Sequence, residues 1–213
     1  MIMNRTIKII IAAAVIIIGA VNAMATEEAL YKVSKTDGTF EIRDYAANIL
    51  AETVVDGDLE GAGSKAFRTL FRYISGSNRS RNRVALTSPV SKEAQGEKIS
   101  MTAPVLQHGV QENWVVSFTM PAIYSLQTLP EPDDPKITLR QVPAHRMAAV
   151  RYSGLWSEKS YLQHKQELES WVHKMGLTIS GAPVWARYNA PFTPWFLRRN
   201  EILIPITAGD ETK

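Results

Sequence analysis

The segment with the clearest chemical potential lies near the end of the chain, where aromatic rings stand beside two guanidinium groups. In "PFTPWFLRRNE" two prolines stiffen a loop that carries Phe192, Trp195 and Phe196, and Arg198 and Arg199 lead into the last predicted strand. Rings cover the faces of a flat apolar ligand, and arginine forks bind its carboxylates. The alternative is structural: the rings plug the end of a barrel, and one arginine pairs with Glu201. The first interpretation predicts a binding site for a flat, apolar, carboxylate-bearing ligand.

The histidines offer one candidate metal ligand. The four histidines show neither H-E-x-x-H nor H-x-x-E-H spacing, and the chain has no cysteine. The sequence therefore lacks the zinc-ligand motif of a zinc hydrolase, and this class of enzyme is not predicted. His164 falls on the apolar stripe of a predicted helix, where a hydrogen-bonded core histidine is the commoner case. If an iron centre docks on this helix, His164 is the axial candidate.

Residues 1–25 have the composition of a cleaved secretory signal. Arg5 and Lys8 lead an uninterrupted apolar run, and small residues then allow cleavage after Ala23 or Ala25. A retained membrane anchor is the less favoured alternative, because the run is shorter than the ~20 residues that span a bilayer. We therefore expect a periplasmic or secreted protein with no membrane span after cleavage.

Residues 26–213 are expected to form a single domain without disulfides. The chain contains 24 Lys and Arg against 21 Asp and Glu, which gives a formal net charge of +3. Loss of the two basic residues of the signal lowers this charge to about +1. A domain this close to neutrality lacks the charge excess of nucleic-acid-binding proteins, so no nucleic-acid partner is predicted.

Two halves of the chain share the element order β-β-α-β-β. Residues 40–55 and 137–152 each predict two short strands joined by a turn. A helix follows each pair, and further strands are expected at 113–121 and 201–206. This duplication predicts an α+β domain in which antiparallel strands close into a distorted β-barrel flanked by two helices.

Several segments stand out as motifs along the chain: "FEIRDY", "ISMTAPV", "VSFTMP" and "ARYNAPFTPWFLRRNEI". In sequence and in order, over residues 31–206, they resemble the SOUL haem-binding proteins. The resemblance implies a fold similar to effector-binding domains related to gyrase inhibitor. It also implies non-covalent binding of haem or another tetrapyrrole through the first helix and the C-terminal loop, with basic side chains at the propionates. On this chain the helix contacts fall on Phe67 and Phe71, with Arg72 as a basic partner.

The leading hypothesis is an extracytoplasmic, non-catalytic protein that sequesters or transports haem or a related tetrapyrrole; axial ligation of the iron stays open. The predicted contacts are Phe67, Phe71, Arg72, Trp195, Phe196, Arg198 and Arg199. The alternative is a small-molecule hydrolase or isomerase, or an effector-binding domain, that uses the barrel cavity. Glu201 would then be the acid or base, provided that apolar surroundings raise its pKa. A third hypothesis is an envelope protein without any ligand.

Overall fold

The computed structural model describes residues 27–81 and 96–208. The signal predicted at 1–25 lies outside these residues and stays a prediction. Within the described part of the chain, no helix has the length and apolarity needed to cross a bilayer.

The described part of the first half contains eight strands and one helix. Their bounds are β1 (Glu27–Glu28), β2 (Tyr31–Asp37), β3 (Phe40–Tyr45), β4 (Asn48–Val55), α1 (Leu59–Ile74), β5 (Asn78–Arg79), β6 (Thr102–Ala103), β7 (Val105–Val110) and β8 (Asn113–Thr119). Helix α1 begins at an N-cap: the side chain of Asp58 accepts a hydrogen bond from the backbone N–H of Gly61.

The second half, as far as residue 208, repeats this plan with six strands, one α-helix and a short 3-10 turn. Their bounds are β9 (Glu131–Pro132), β10 (Ile137–Val142), β11 (His145–Tyr152), α2 (Glu158–Lys174), β12 (Leu177–Ile179), β13 (Val184–Arg187), the 3-10 turn (Trp195–Leu197) and β14 (Asn200–Ala208). Ser157 caps the start of α2. The predicted duplication is confirmed as β3-β4-α1-β7-β8 and β10-β11-α2-β13-β14.

One large antiparallel sheet joins the two halves. Its order is β10-β4-β8-β7-β13-β14-β11-β3-β2, with β12 also paired to β14. The first strand of each half pairs with the second strand of the other, since β3 lies on β11 and β10 lies on β4. The α+β fold with two flanking helices is therefore confirmed.

The sheet is curved but not closed into the barrel that the sequence predicted. Among the described residues, β10 and β2 are its two edges. Closure would require these two edge strands to pair with each other, and no hydrogen-bonded pairing joins β10 to β2 among the described residues. The strands nevertheless bend around a concave face, because side chains from β4, β8, β10 and β14 line one cavity there.

Alternation along the strands divides the core between the two faces of the sheet. On β14, Ile202 and Ile204 pack beneath α2, whereas Leu203 belongs to a separate cluster on the concave face. Helix α1 covers a third cluster on β4 and β8 that includes Leu70 and Phe118. Both helices therefore lie on the convex face, and within residues 27–81 and 96–208 no helix covers the concave face.

Candidate functional site

Helix α1 presents two stacked phenylalanines. The rings of Phe67 and Phe71 are 5.7 Å apart between centroids and 14° from parallel. Phe67 is half-buried and packs edge-on against Phe118 of β8 at 5.4 Å. Phe71 is 46% exposed. The pair thus has one ring anchored in the core and one ring free for an external contact.

Arg72 lies beside this pair with its side chain mostly in solvent. Its Nη2 is 3.5 Å from Oδ2 of Asp134. A single long contact at the surface contributes little free energy. The Arg72 guanidinium can therefore exchange this contact for a ligand carboxylate at little cost.

The C-terminal loop carries a second group of aromatic rings. Trp195 and Phe196 stand edge to face in the 3-10 turn, with ring centroids 5.5 Å apart. They are 57% and 58% exposed, and Phe192 in the same loop is 90% exposed. The alternative in which these rings plug a barrel is wrong, because they face solvent.

The loop is held in place by its own hydrogen bonds. Arg198 donates from Nε to the carbonyl of Thr193 and from Nη2 to the carbonyl of Pro191, both at 2.8 Å. Its guanidinium also lies 4.3 Å from the ring centre of Trp156. The N–H of Gly154 donates to the carbonyl of Trp195 at 3.1 Å. Arg198 therefore supports the loop that was predicted to bind ligand, and these donors are already engaged.

Arg199 belongs to a buried ionic network centred on Glu201. The Glu201 carboxylate accepts hydrogen bonds from Arg43 Nη1 (2.6 Å) and Nη2 (3.1 Å), from Arg199 Nε (3.0 Å) and from the Tyr188 hydroxyl (2.8 Å). Arg199 also pairs with Glu28 at 2.9 Å. Burial raises the pKa of Glu201, but Arg43, Arg199 and Tyr188 together outweigh burial and hold it below its ordinary value. A general acid or base at Glu201 would require the opposite shift.

Sequence reasoning missed Arg187, a buried arginine at the end of β13. Its Nη2 donates to Oε1 of Gln107. Its guanidinium lies 4.7 Å from the ring centre of Trp185 and 5.3 Å from that of Trp156. Nε is buried without an acceptor. Among the described residues, no carboxylate lies within 4.0 Å of this guanidinium, so Arg187 is a buried cation without a direct ion-pair partner; the Glu60 carboxylate of α1 acts on it only at longer range, where it partly offsets the lowering of its pKa by burial.

Arg187 joins α1 to the C-terminal loop. A Cβ at Gly63 of α1 would lie 1.9 Å from Arg187 Nη2, so the guanidinium packs directly against the helix backbone. On the other side Trp156 contacts both Arg187 and Arg198. Burial lowers the pKa of Arg187 to about 10, which leaves it charged at neutral pH. The sequence does contain a pattern that predicts the burial of Arg187: side chains alternate along a strand, so Arg187 lies on the same face as Trp185, which is buried.

His164 lies on α2, against Tyr152. The two rings stack with centroids 4.0 Å apart, and Nδ1 of His164 is 2.8 Å from Oε2 of Glu167. If Nδ1 donates this bond, Nε2 keeps the lone pair that a metal would need. The described residues contain no cluster of three or more His, Cys, Asp or Glu side chains arranged for a metal. His164 as an axial ligand stays a prediction.

Several solved structures have a fold similar to that of this chain. A crystal structure of the EcmrR C-terminal domain aligns with a TM-score of 0.58 at 11% identity, covering 84% of this chain and 99% of that one. A crystal structure of a hydrolase from Listeria innocua aligns with a TM-score of 0.53 at 12% identity, and the alignment covers 82% of this chain and 94% of the hydrolase chain. At such identities the likeness shows the fold alone. Fold and site together define an α+β sheet protein with two groups of exposed aromatic rings, one on α1 and one on the C-terminal loop.

The family follows from the sequence itself. The model of the SOUL heme-binding protein family matches residues 26–205. Heme-binding protein 1 of Xenopus tropicalis is 25% identical over 178 residues, which cover 83% of this chain and 88% of the relative. Its counterpart in Xenopus laevis is 26% identical over the same shares. The chain belongs to the SOUL heme-binding protein family.

Proposed function

We propose that this protein binds haem or a related tetrapyrrole non-covalently, between α1 and the C-terminal loop, and sequesters or transports it without changing it chemically. Membership of a heme-binding family and the names of the Xenopus relatives support the ligand class. A role outside the cytoplasm rests on the signal-like composition of residues 1–25.

The exposed aromatic surface carries the proposal. Phe71, Trp195 and Phe196 each leave about half of their area in solvent, although hydrogen bonds fix the loop that holds two of them. Exposed apolar surface of this kind marks a binding site, and a fixed loop loses little entropy when it binds. A flat apolar ligand would cover these rings.

Two cations near this surface suit a ligand with carboxylates. Arg72 is exposed and holds one long contact to an acid. Arg187 is buried with an unpaired Nε and no carboxylate in salt-bridge range among the described residues. A buried charge is costly until an opposite charge reaches it. Arg72 lies nine positions after Gly63, the α1 residue that Arg187 contacts, and therefore on the opposite face of the helix. A tetrapyrrole whose propionates approach Arg187 fits the residues present, whereas Arg72 would serve a ligand on the other side of α1.

A binding role is favoured over catalysis at Glu201. Its carboxylate is engaged by two arginines and a tyrosine, and its pKa is lowered. The network instead fixes Tyr188 and Arg199, which bracket the C-terminal loop at the point where the N–H of Tyr188 donates to the carbonyl of Arg199. Glu201 thus positions the loop.

The test compares protoporphyrin with its dimethyl ester, which lacks free carboxylates. Wild-type protein should bind the diacid more tightly than the ester. Arg187→Met should weaken binding of the diacid by about ten-fold or more, as expected for a lost hydrogen bond to a charged group. The affinity for the ester should be unchanged. Phe71→Ala should weaken both ligands.

The matched control for Phe71→Ala is Leu162→Ala, which removes an exposed apolar side chain from α2. This control should bind both ligands as the wild type does. If Arg187→Met and Phe71→Ala both leave porphyrin affinity unchanged, the proposed site is wrong.

A further inference from the structure

The concave face of the sheet, opposite the two helices, holds a cavity of about 290 Å³. Its walls are mainly apolar side chains from several strands: Leu50, Leu106, Met147, Val184, Leu203 and Pro205. Leu203 alternates with Ile202 and Ile204, which pack under α2. The cavity is therefore separated by the sheet itself from the surface proposed for the tetrapyrrole.

One end of this cavity contains two polar atoms without partners. Oδ1 of Asn48 and Oγ1 of Thr119 are buried and accept or donate no hydrogen bond to any described residue. Both side chains line the cavity and also an adjoining cavity of about 210 Å³ beside Thr102 and Met120, and Thr119 is 4% exposed. Thr119 lies opposite Leu50, two positions along β4 from Asn48. Buried polar atoms are rarely left unpaired, so two of them at the boundary of these cavities indicate that a bound molecule supplies their partner.

The charges around the cavity are already balanced. Arg140 makes a bidentate pair with Glu52, with Nε–Oε2 and Nη2–Oε1 both at 2.7 Å. Burial lowers the pKa of His108, which keeps that ring neutral at neutral pH. His145 also lines the cavity, with Nδ1 2.8 Å from the Pro143 carbonyl and its ring stacked on Tyr45. A charged ligand would find no unpaired counter-charge on Arg140, Glu52 or His108, so an uncharged ligand is favoured.

We infer that this cavity is a second binding site, for a small uncharged apolar molecule that carries one hydroxyl or similar hydrogen-bond donor. The apolar body would lie against Leu106, Val184 and Leu203, and the donor would meet Oδ1 of Asn48, with Thr119 beside it. A cavity of ~150 Å³ holds benzene, so this one takes about a dozen heavy atoms. A tetrapyrrole is several times too large.

The probe is 2-naphthol, an aromatic alcohol of about this size, titrated by calorimetry. We expect saturable one-to-one binding, about five-fold tighter than that of naphthalene, which lacks the donor. The charged analogue 2-naphthoate should bind far more weakly. Asn48→Leu combined with Thr119→Val should remove the preference for naphthol over naphthalene. Equal binding of naphthol and naphthalene by the wild type would overturn the role of these polar atoms.

Cavity-filling variants separate this site from the tetrapyrrole site. Leu106→Trp and, independently, Val184→Phe should abolish 2-naphthol binding and retain porphyrin binding, which also shows that each variant is folded. Phe71→Ala should weaken porphyrin and leave naphthol unchanged. If the wild type does not bind 2-naphthol, or if a folded filled variant binds it equally well, the second site does not exist.

Discussion

Replacement of Trp195 by alanine tests the aromatic surface quantitatively. Trp195 is 57% exposed, and a tryptophan buries roughly 250 Å² when fully covered. About 140 Å² is therefore available, and a flat ligand on one face would cover about half of it. At ~25 cal/mol per Å², the covered ~70 Å² contributes about 1.8 kcal/mol, or about 20-fold in Kd. Trp195→Ala should weaken porphyrin binding by this factor.

The assay is an equilibrium titration with metal-free protoporphyrin, followed by its fluorescence. Phe192→Ala is the matched control, since Phe192 lies in the same loop and is 90% exposed but is not a predicted contact. The Kd of Phe192→Ala for protoporphyrin should lie within about two-fold of the wild-type value, because the ligand is not expected to cover any part of the Phe192 ring. An unchanged Kd for Trp195→Ala, or an equal loss in both variants, would refute the proposed placement of the ligand on Trp195.

Three further predictions concern the network, the cavity and the metal. Glu201→Gln should lower the free energy of unfolding by about 1–3 kcal/mol, because Arg43 and Arg199 lose a buried counter-charge but keep the more exposed acids Glu41 and Glu28; an unchanged free energy of unfolding in urea denaturation would contradict this. The folded-state pKa of Glu201 is lowered, so its contribution is present above its unfolded pKa and is lost as pH falls through the folded pKa. The stability gap between wild type and Glu201→Gln should therefore narrow on acidification, and a constant gap would count against the network. Thr119→Val should leave the thermal midpoint unchanged or raise it, since the hydroxyl is unpaired; a clear fall would show a missed partner. His164→Ala should shift the Soret band of the haem complex without changing protoporphyrin affinity, and an identical spectrum would remove His164 as the ligand.

The repeated fold was predictable because its signals are local. Alternation on the strands and 3.6-residue periodicity on the helices mark the same element order in both halves. Closure of the sheet was not predictable, because it depends on whether its two edge strands, far apart in the sequence, pair with each other. One of them is β2, a strand outside the repeat, and it does not pair with β10.

The candidate site was predictable only in part. The aromatic rings of the C-terminal loop stand together in the sequence, and so their surface could be proposed directly. The roles of the arginines depend on partners far away along the chain: Glu201 is 158 positions from Arg43. Arg187 acquires its buried position from Gly63 on α1 and from Trp156. Such pairings follow from the folded topology and leave no local pattern.

The central claim is tested most directly by a visible-spectrum titration of the protein with ferric haem and, separately, with metal-free protoporphyrin. Apolar stacking and carboxylate recognition do not require iron, so both ligands should bind saturably at one equivalent. If neither titration saturates, the surface between α1 and the C-terminal loop is not a tetrapyrrole site, and the proposed function is wrong.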